Sequence, residues 1–363
     1  MKLSRRETLF ALAGLGLAGK AQPGFAAPAS LGAIAAEQGL LFGTSIASDT
    51  LADPAQAALY RREARIFTVD YAMKFGFLRP TADSFQPGEA DAILAFARAS
   101  AIPVRGHTLA WNESRPDWLM ALSTAEMRAA LDRHIDETVG YFAGQLHSWD
   151  VVNEPFWPGH RLPGHFRDGP WLDAFGEDYV TRAFKRTAAA DPAARLVLNE
   201  AMTEAWTEDG ALIRKSLLGL VDRLQHDGAR LDAVGLQGHL LPQKPHDDAA
   251  FADFVAELAT RKIDIYITEL DVDDTVFPDD IGARDAAVAE HYRQFLTAVL
   301  AVPAVKMVIT WQLADSASWY DHAAREADPD ATRLPRPLPF DAHFAPKPAH
   351  GAMSAAFTAR RPA

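Results

Sequence analysis

Two glutamates stand where carboxylates can do chemistry. Glu154 closes the segment Trp149-Asp150-Val151-Val152-Asn153-Glu154-Pro155, and Glu269 lies in Ile265-Tyr266-Ile267-Thr268-Glu269-Leu270-Asp271. Each follows a short apolar run of the kind that makes a buried strand. Each carboxylate is therefore presented at a strand end rather than solvated on a helix. Two carboxylates facing each other across a cleft suit cleavage of a glycosidic bond. One protonates the leaving oxygen, and the other attacks the anomeric carbon or activates water there. A structural pair of ion-paired carboxylates would be placed the same way, so placement alone leaves both readings open. Further polar and aromatic residues end other apolar runs: His107 and Trp111, Asn199 and Glu200, Gln237 and His239, then Trp311 with Trp319 just beyond. A lone His or Trp is more often core. Set together at strand ends beside carboxylates, they describe a cleft whose indole rings can stack on sugar C–H faces.

The elements that must position these residues alternate along the chain. Strand-like runs are Leu41–Ala47, Ile66–Tyr71, Val104–Trp111, Leu146–Asn153, Arg195–Leu198, Ala233–His239, Ile263–Leu270 and Val305–Trp311. Amphipathic helical stretches lie between them, at Pro54–Arg65, Pro87–Ser100, Thr124–Gly144, Asp173–Ala190, Glu208–Gly228, Asp247–Lys262 and Ala283–Val302, with Pro346–Arg360 last. Strand runs that are apolar on both faces imply a buried parallel sheet. Eight such strand–helix units predict a closed (β/α)8 TIM barrel, an α/β fold in a single domain, with the functional residues at its C-terminal mouth. An open doubly wound sheet is the alternative. It would want a Gly-rich phosphate loop after the first strand, and Phe42-Gly43-Thr44-Ser45 has no such spacing.

Composition narrows the partners. The 363 residues carry a formal net charge of −12, which disfavours nucleic acid and anionic lipid and favours a neutral substrate. Cysteine is absent, so disulfides and thiolate metal sites are excluded. Residues 1–29 read as a signal peptide: Lys2, Arg5 and Arg6 are followed by an apolar stretch from Leu9 to Ala18, too short to span a bilayer. Ser4-Arg5-Arg6-Glu7-Thr8-Leu9 is similar to a twin-arginine signal, with an ordinary Sec signal as the alternative. An exported enzyme, periplasmic or secreted, is the expectation. Residues 30–363 would form the catalytic domain, acting as a monomer and free of the membrane once the signal is removed.

The strand-end motifs resemble glycoside hydrolase family 10, the endo-β-1,4-xylanases. The resemblance is carried by Trp149 to Glu154, by Ile267-Thr268-Glu269-Leu270-Asp271, by Arg105-Gly106-His107-Thr108-Leu109-Ala110-Trp111, and by Gly235-Leu236-Gln237-Gly238-His239. Trp311 through Trp319, Leu338-Pro339-Phe340-Asp341 and Pro346-Lys347-Pro348-Ala349 extend it to the C-terminal end. It implies a retaining mechanism on xylan or xylo-oligosaccharides, with Glu154 as acid/base and Glu269 as nucleophile. It further implies that Asn153 bonds the 2-hydroxyl of the attacked sugar, and that His239 bonds the nucleophile with Asp271 behind it. Lys74, His107 and Gln237 would hold hydroxyls, with Trp111 and Asn199 among the substrate-binding residues, and Trp311 and Trp319 would wall the sugar. No metal or organic cofactor is implied.

Departures from the family pattern gather at the sugar-binding face. Asp70-Tyr71 stands where the family has Glu-Asn, and Asn199-Glu200-Ala201-Met202 where it has Asn-Asp-Tyr-Asn. Asn112 replaces a common His and Gln312 a common Gly. A retaining β-glycosidase acting on a decorated oligosaccharide or a small-molecule glycoside is therefore the alternative substrate reading. Two other classes fit less well. A sugar-binding protein on a dead scaffold has no reason to keep both glutamates. A metal-dependent barrel hydrolase needs a His-x-His pair at the first strand, and Thr44–Ser48 contains no imidazole.

Overall fold

The computed structural model describes residues 29–361; nearly all of the segment read as a signal peptide lies outside them. Among the described residues nine strands run β1 Leu41–Ile46, β2 Phe67–Val69, β3 Val104–Ala110, β4 Ser148–Asn153, β5 Arg195–Glu200, β6 Ala233–Leu236, β7 His239–Leu240, β8 Asp264–Val272 and β9 Val305–Thr310. Every pairing is parallel, and the order β6-β5-β4-β3-β2-β1-β9-β8 is closed by β6 pairing with β8. This is the expected eight-stranded (β/α)8 barrel, with β7 a two-residue extension along the end of β8.

The strands are buried along almost their whole length, because the barrel interior covers one face and the helices the other. Ile66, Val197, Ala233, Tyr266, Met307 and Ile309 form an apolar cluster of their own, separate from the main core. Helix starts carry their own signals. Asp53 caps the helix Pro54–Glu63, and Ser123 forms a capping box with Glu126 at the head of Thr124–Phe142.

Two expected elements are interrupted at glycines. The run Ala233–His239 breaks at Gln237-Gly238, where Gly238 has φ +79° and the ladder stops. The helix expected over Asp173–Ala190 is two helices, Pro170–Phe175 and Asp178–Ala190, because Gly176 at φ +63° ends the first. Short helices at Leu31–Glu37, Phe75–Leu78 and Trp319–Ala327 were not anticipated by periodicity. None of the described helices is long and apolar enough to cross a membrane.

The strand ends share a backbone feature that aims the site. Glu154, Met202 and Gln312 closely follow β4, β5 and β9 with φ of 51°, 58° and 75°, and Gly238 follows β6 in the same left-handed region. A non-glycine residue there costs roughly 1–2 kcal/mol and persists only where its surroundings hold it.

Candidate active site

The barrel mouth holds a pocket of about 310 Å³ that brings together Lys74, His107, Trp111, Asn153, Glu154, Gln237, His239, Glu269, Trp311 and Trp319, together with Asp70 and Tyr71. Two expected substrate-binding residues do not line it. Asn199 and Asp271 are fully buried one step behind, where they hold the side chains that do.

Glu269, on β8, is held from two sides. Asn199 Nδ2 donates to its Oε1 at 2.7 Å, and His239 Nε2 donates to its Oε2 at 3.2 Å. Asn199 is itself oriented by Thr268 Oγ1, which donates to Asn199 Oδ1 at 2.7 Å. The other ring nitrogen of His239 donates to Asp271 Oδ1 at 2.8 Å, and Trp319 Nε1 donates to Asp271 Oδ2 at 2.9 Å. Burial alone would push the Glu269 carboxyl up. The His239 hydrogen bond, the charges of His107 and His239 and the Asn199 bond outweigh it and bring Glu269 down to about 2. Burial likewise opposes the charge on His239, but Asp271 first and Glu269 second hold that ring protonated well above the usual histidine range. The result is a carboxylate kept ionised in a dry setting, which is what a nucleophile requires.

Glu154 meets different neighbours. Gln237 Nε2 donates to its Oε1 at 2.9 Å, and Asn153 Nδ2 reaches the same oxygen at 3.3 Å. Arg167 Nη2 donates to its Oε2 at 2.7 Å, and Arg167 Nε donates to its backbone carbonyl at 3.1 Å. The Glu154 backbone N–H is tied to Asn199 O at 2.9 Å, so the left-handed turn is pinned at both its carbonyl and its amide. Arg167 also pairs with Glu113 at 2.6 Å and lies 4.7 Å from the Trp157 ring centre. Beneath it, Glu200 accepts from Phe156 N at 3.3 Å and Ala201 N at 2.9 Å. Burial, then the charge of Glu154, pushes the Glu200 carboxyl well above the usual carboxylate range. The two catalytic candidates are joined through amides. Asn199 Nδ2, which serves Glu269, also donates to Asn153 Oδ1 at 2.7 Å, and Asn153 leads on to Glu154.

The chain belongs to glycosyl hydrolase family 10. A family-wide sequence model of that description matches residues 30–356. Among curated relatives, Endo-1,4-beta-xylanase 5 of Pyricularia oryzae is 30% identical over 342 residues, covering 91% of this chain and 78% of that one. Endo-1,4-beta-xylanase B of Paenibacillus barcinonensis is 30% identical over 294 residues, covering 77% and 85%. Among solved structures, xylanase 10B of Thermotoga petrophila, in complex with xylobiose, superposes with a TM-score of 0.81 at 26% identity, covering 92% of this chain and 98% of that one. The chain is thus a glycoside hydrolase, as the resemblance implied.

The remaining walls divide into two arcs. His107 is fixed by Asp150, whose Oδ2 accepts from its Nδ1 at 2.9 Å, and Asp150 is in turn ion-paired with the buried Arg105. The Lys74 ammonium lies 4.8 Å, 5.0 Å and 5.7 Å from the ring centres of Tyr71, Trp111 and Trp311. Trp319 stands open at 42% exposure, whereas Trp311 is buried at 7%. Arg167 was not found by sequence reasoning; an arginine thirteen residues past a glutamate in a loop carries no local signal. Gln312 and Asp70 were visible only as departures from a pattern. Among the described residues no group of three or more His, Asp or Glu could hold a metal ion.

Proposed function

We propose that the chain hydrolyses β-1,4-xylosidic bonds of xylan or xylo-oligosaccharides with retention of anomeric configuration. One observation carries this reading: Glu269 is held ionised at about 2 in the same pocket as Glu154, whose neighbours differ in kind. Glu269 is held by Asn199 and His239, whereas Glu154 meets Gln237 and Arg167, and these different partners support separate roles. Glu269 attacks the anomeric carbon as the glycosidic C–O bond breaks, and Glu154 gives its proton to the leaving oxygen. Water then attacks the same carbon, Glu154 takes a proton from it, and Glu269 leaves. Asn153, whose Oδ1 accepts from Asn199, would bond the 2-hydroxyl of the attacked sugar, as the family resemblance implies.

The xylanase names of the relatives support the bond type. Which bond of a chain is cut depends on the walls around the retained sugar. The N-terminal basic and apolar segment supports export. The test is proton NMR of an aryl β-xyloside or xylotetraose during turnover, with a 2-fluoro-xyloside to trap the intermediate. The β-anomer should appear first, and the peptide containing Glu269 should carry the trapped sugar. An α-anomer as first product would overturn the retaining assignment.

A further inference from the structure

The β2 end of the pocket is built around a carboxylate oxygen with nothing to bind. Asp70, at the end of β2, is 2% exposed. Its Oδ2 accepts from Gln312 Nε2 at 2.8 Å, but its Oδ1 is buried without a hydrogen-bond partner. Lys74 Nζ stands 3.7 Å from that oxygen, close enough to pair in charge and too far to bond. Both residues line the pocket that holds Glu154 and Glu269. A buried, unsatisfied acceptor costs about as much as the bond it lacks, so such a group in a binding pocket marks a ligand atom.

Gln312 backs this end from behind Asp70, outside the residues that line the pocket. Its backbone sits at φ +75°, which strains any residue but glycine. Three bonds hold it there: its N–H donates to Ser45 Oγ at 2.9 Å, its Oε1 accepts from Tyr60 O–H at 2.7 Å, and its Nε2 serves Asp70. The carboxamide is 3% exposed and fills the space between Tyr60 and Asp70. Tyr71, which does line the pocket, packs on Phe77 with ring centres 5.6 Å apart and has the Lys74 ammonium over its ring, so its side chain walls this end. The volume of about 310 Å³ is at the small end of the roughly 300–1,000 Å³ typical of ligand pockets.

We infer that this end closes the glycone side after one sugar and reads the free 4-hydroxyl of a non-reducing terminus, so that cleavage falls on the first bond of a chain. The inference rests on the glycosidase assignment above. The acid Glu154 must stand over the leaving group, so the retained sugar extends toward Asp70 and Lys74. Across a pyranose ring from C1 lies C4. A hydroxyl there can sit within hydrogen-bond distance of both ends of a 3.7 Å gap, donating to Asp70 Oδ1 and accepting from Lys74. An O4 that continues the chain has no proton to donate, and it would leave Asp70 Oδ1 buried and unpaired. A site built to bond a hydroxyl rejects ligands that lack it far more strongly than a site that merely fits them.

The test compares aryl β-monosides with aryl β-biosides across xylose, glucose and galactose, and follows xylohexaose labelled at its reducing end. Wild type should use the monoside of its preferred sugar at least as well as the bioside. From the labelled hexaose it should release free xylose and the labelled pentasaccharide first. Tyr71→Ala, which removes the ring that walls this end, should raise the bioside-to-monoside ratio of kcat/KM by about tenfold or more. A 4-deoxy monoside should lose roughly tenfold with wild type and little further with Asp70→Asn, since both delete the same bond. Loss with the 3-deoxy analogue instead, or unlabelled xylobiose and xylotriose as first products from wild type, would overturn the inference. If xylosides are inert but another sugar is cleaved, the xylose assignment fails, and the monoside-to-bioside ratio of the accepted sugar still decides the closed glycone side. If Tyr71→Ala leaves that ratio and the first products unchanged while Gln312→Gly moves the cuts inward, the wall is not Tyr71 and the inference is overturned as stated.

Discussion

Replacing His239 by Asn should move the acidic limb of the pH profile upward by about one pH unit or slightly more. Asparagine ends near the position of the imidazole Nδ1, so its amide can still donate to Asp271. It stops short of Glu269 and carries no charge. In the native site Glu269 stands at about 2 against an ordinary 4.5. That gap corresponds to about 3 kcal/mol favouring the carboxylate over the acid, at about 1.4 kcal/mol per pH unit. Burial works against it, so the bonds and charges of His239, His107 and Asn199 supply more than the net figure. A hydrogen bond to an ionised group contributes about 1.5–3 kcal/mol. The His239 bond is long at 3.2 Å and its ring is 21% exposed, which puts its share at the low end, about 1.5–2 kcal/mol, or about 1–1.5 pH units. The sign follows from the depressed value. The nucleophile is competent above its pKa and lost as pH falls through it, so raising that pKa brings the loss to higher pH. The measurement is kcat/KM against pH on a dinitrophenyl β-xyloside, whose leaving group needs no acid, with circular dichroism at each pH to exclude unfolding. An acidic limb that stays within about 0.3 pH units of wild type would refute His239 as the electrostatic partner of Glu269.

Two further outcomes are expected. Glu154→Ala should retain cleavage of activated aryl glycosides and lose that of xylan, and azide should restore its turnover and yield the β-glycosyl azide, whereas Glu269→Ala should be inactive on all substrates with or without azide; an identical response from both variants would reverse or void the assignment of roles. Asp150→Asn should lose about 3–5 kcal/mol of stability in urea unfolding, because the fully buried Arg105 guanidinium is left without its counter-charge; a loss under about 1 kcal/mol would show that Arg105 finds compensation from Thr68 and Ser148.

Much of the architecture was legible along the chain. Runs such as Ile263–Leu270 and Val305–Trp311 are apolar on both faces, and only a sheet covered on both sides can bury them, so eight of them alternating with amphipathic helices left few folds open. Glu154 and Glu269 were legible for the same reason, since both stand at the C-terminal part of such runs, and both do line the pocket at the barrel mouth. The tertiary structure alone decided how those carboxylates differ. Asn199 and Asp271 look like cleft residues from their strand-end positions, yet β5 and β8 bury both, and they act on Glu269 through Asn199 Nδ2 and through His239. Arg167 reaches Glu154 because the loop after β4 folds back over it, a contact that no local pattern encodes. Gln312 shows the same limit. A sequence gives its size and polarity, but the left-handed turn that aims it at Asp70 exists only because Ser45, Tyr60 and Asp70, from β1, the following helix and the end of β2, converge to hold it. Periodicity reports which face of an element is buried. The direction of a side chain past the end of a strand is set by bonds to residues on other elements, from thirteen positions away for Arg167 to 267 for Ser45, and those form only when the barrel closes.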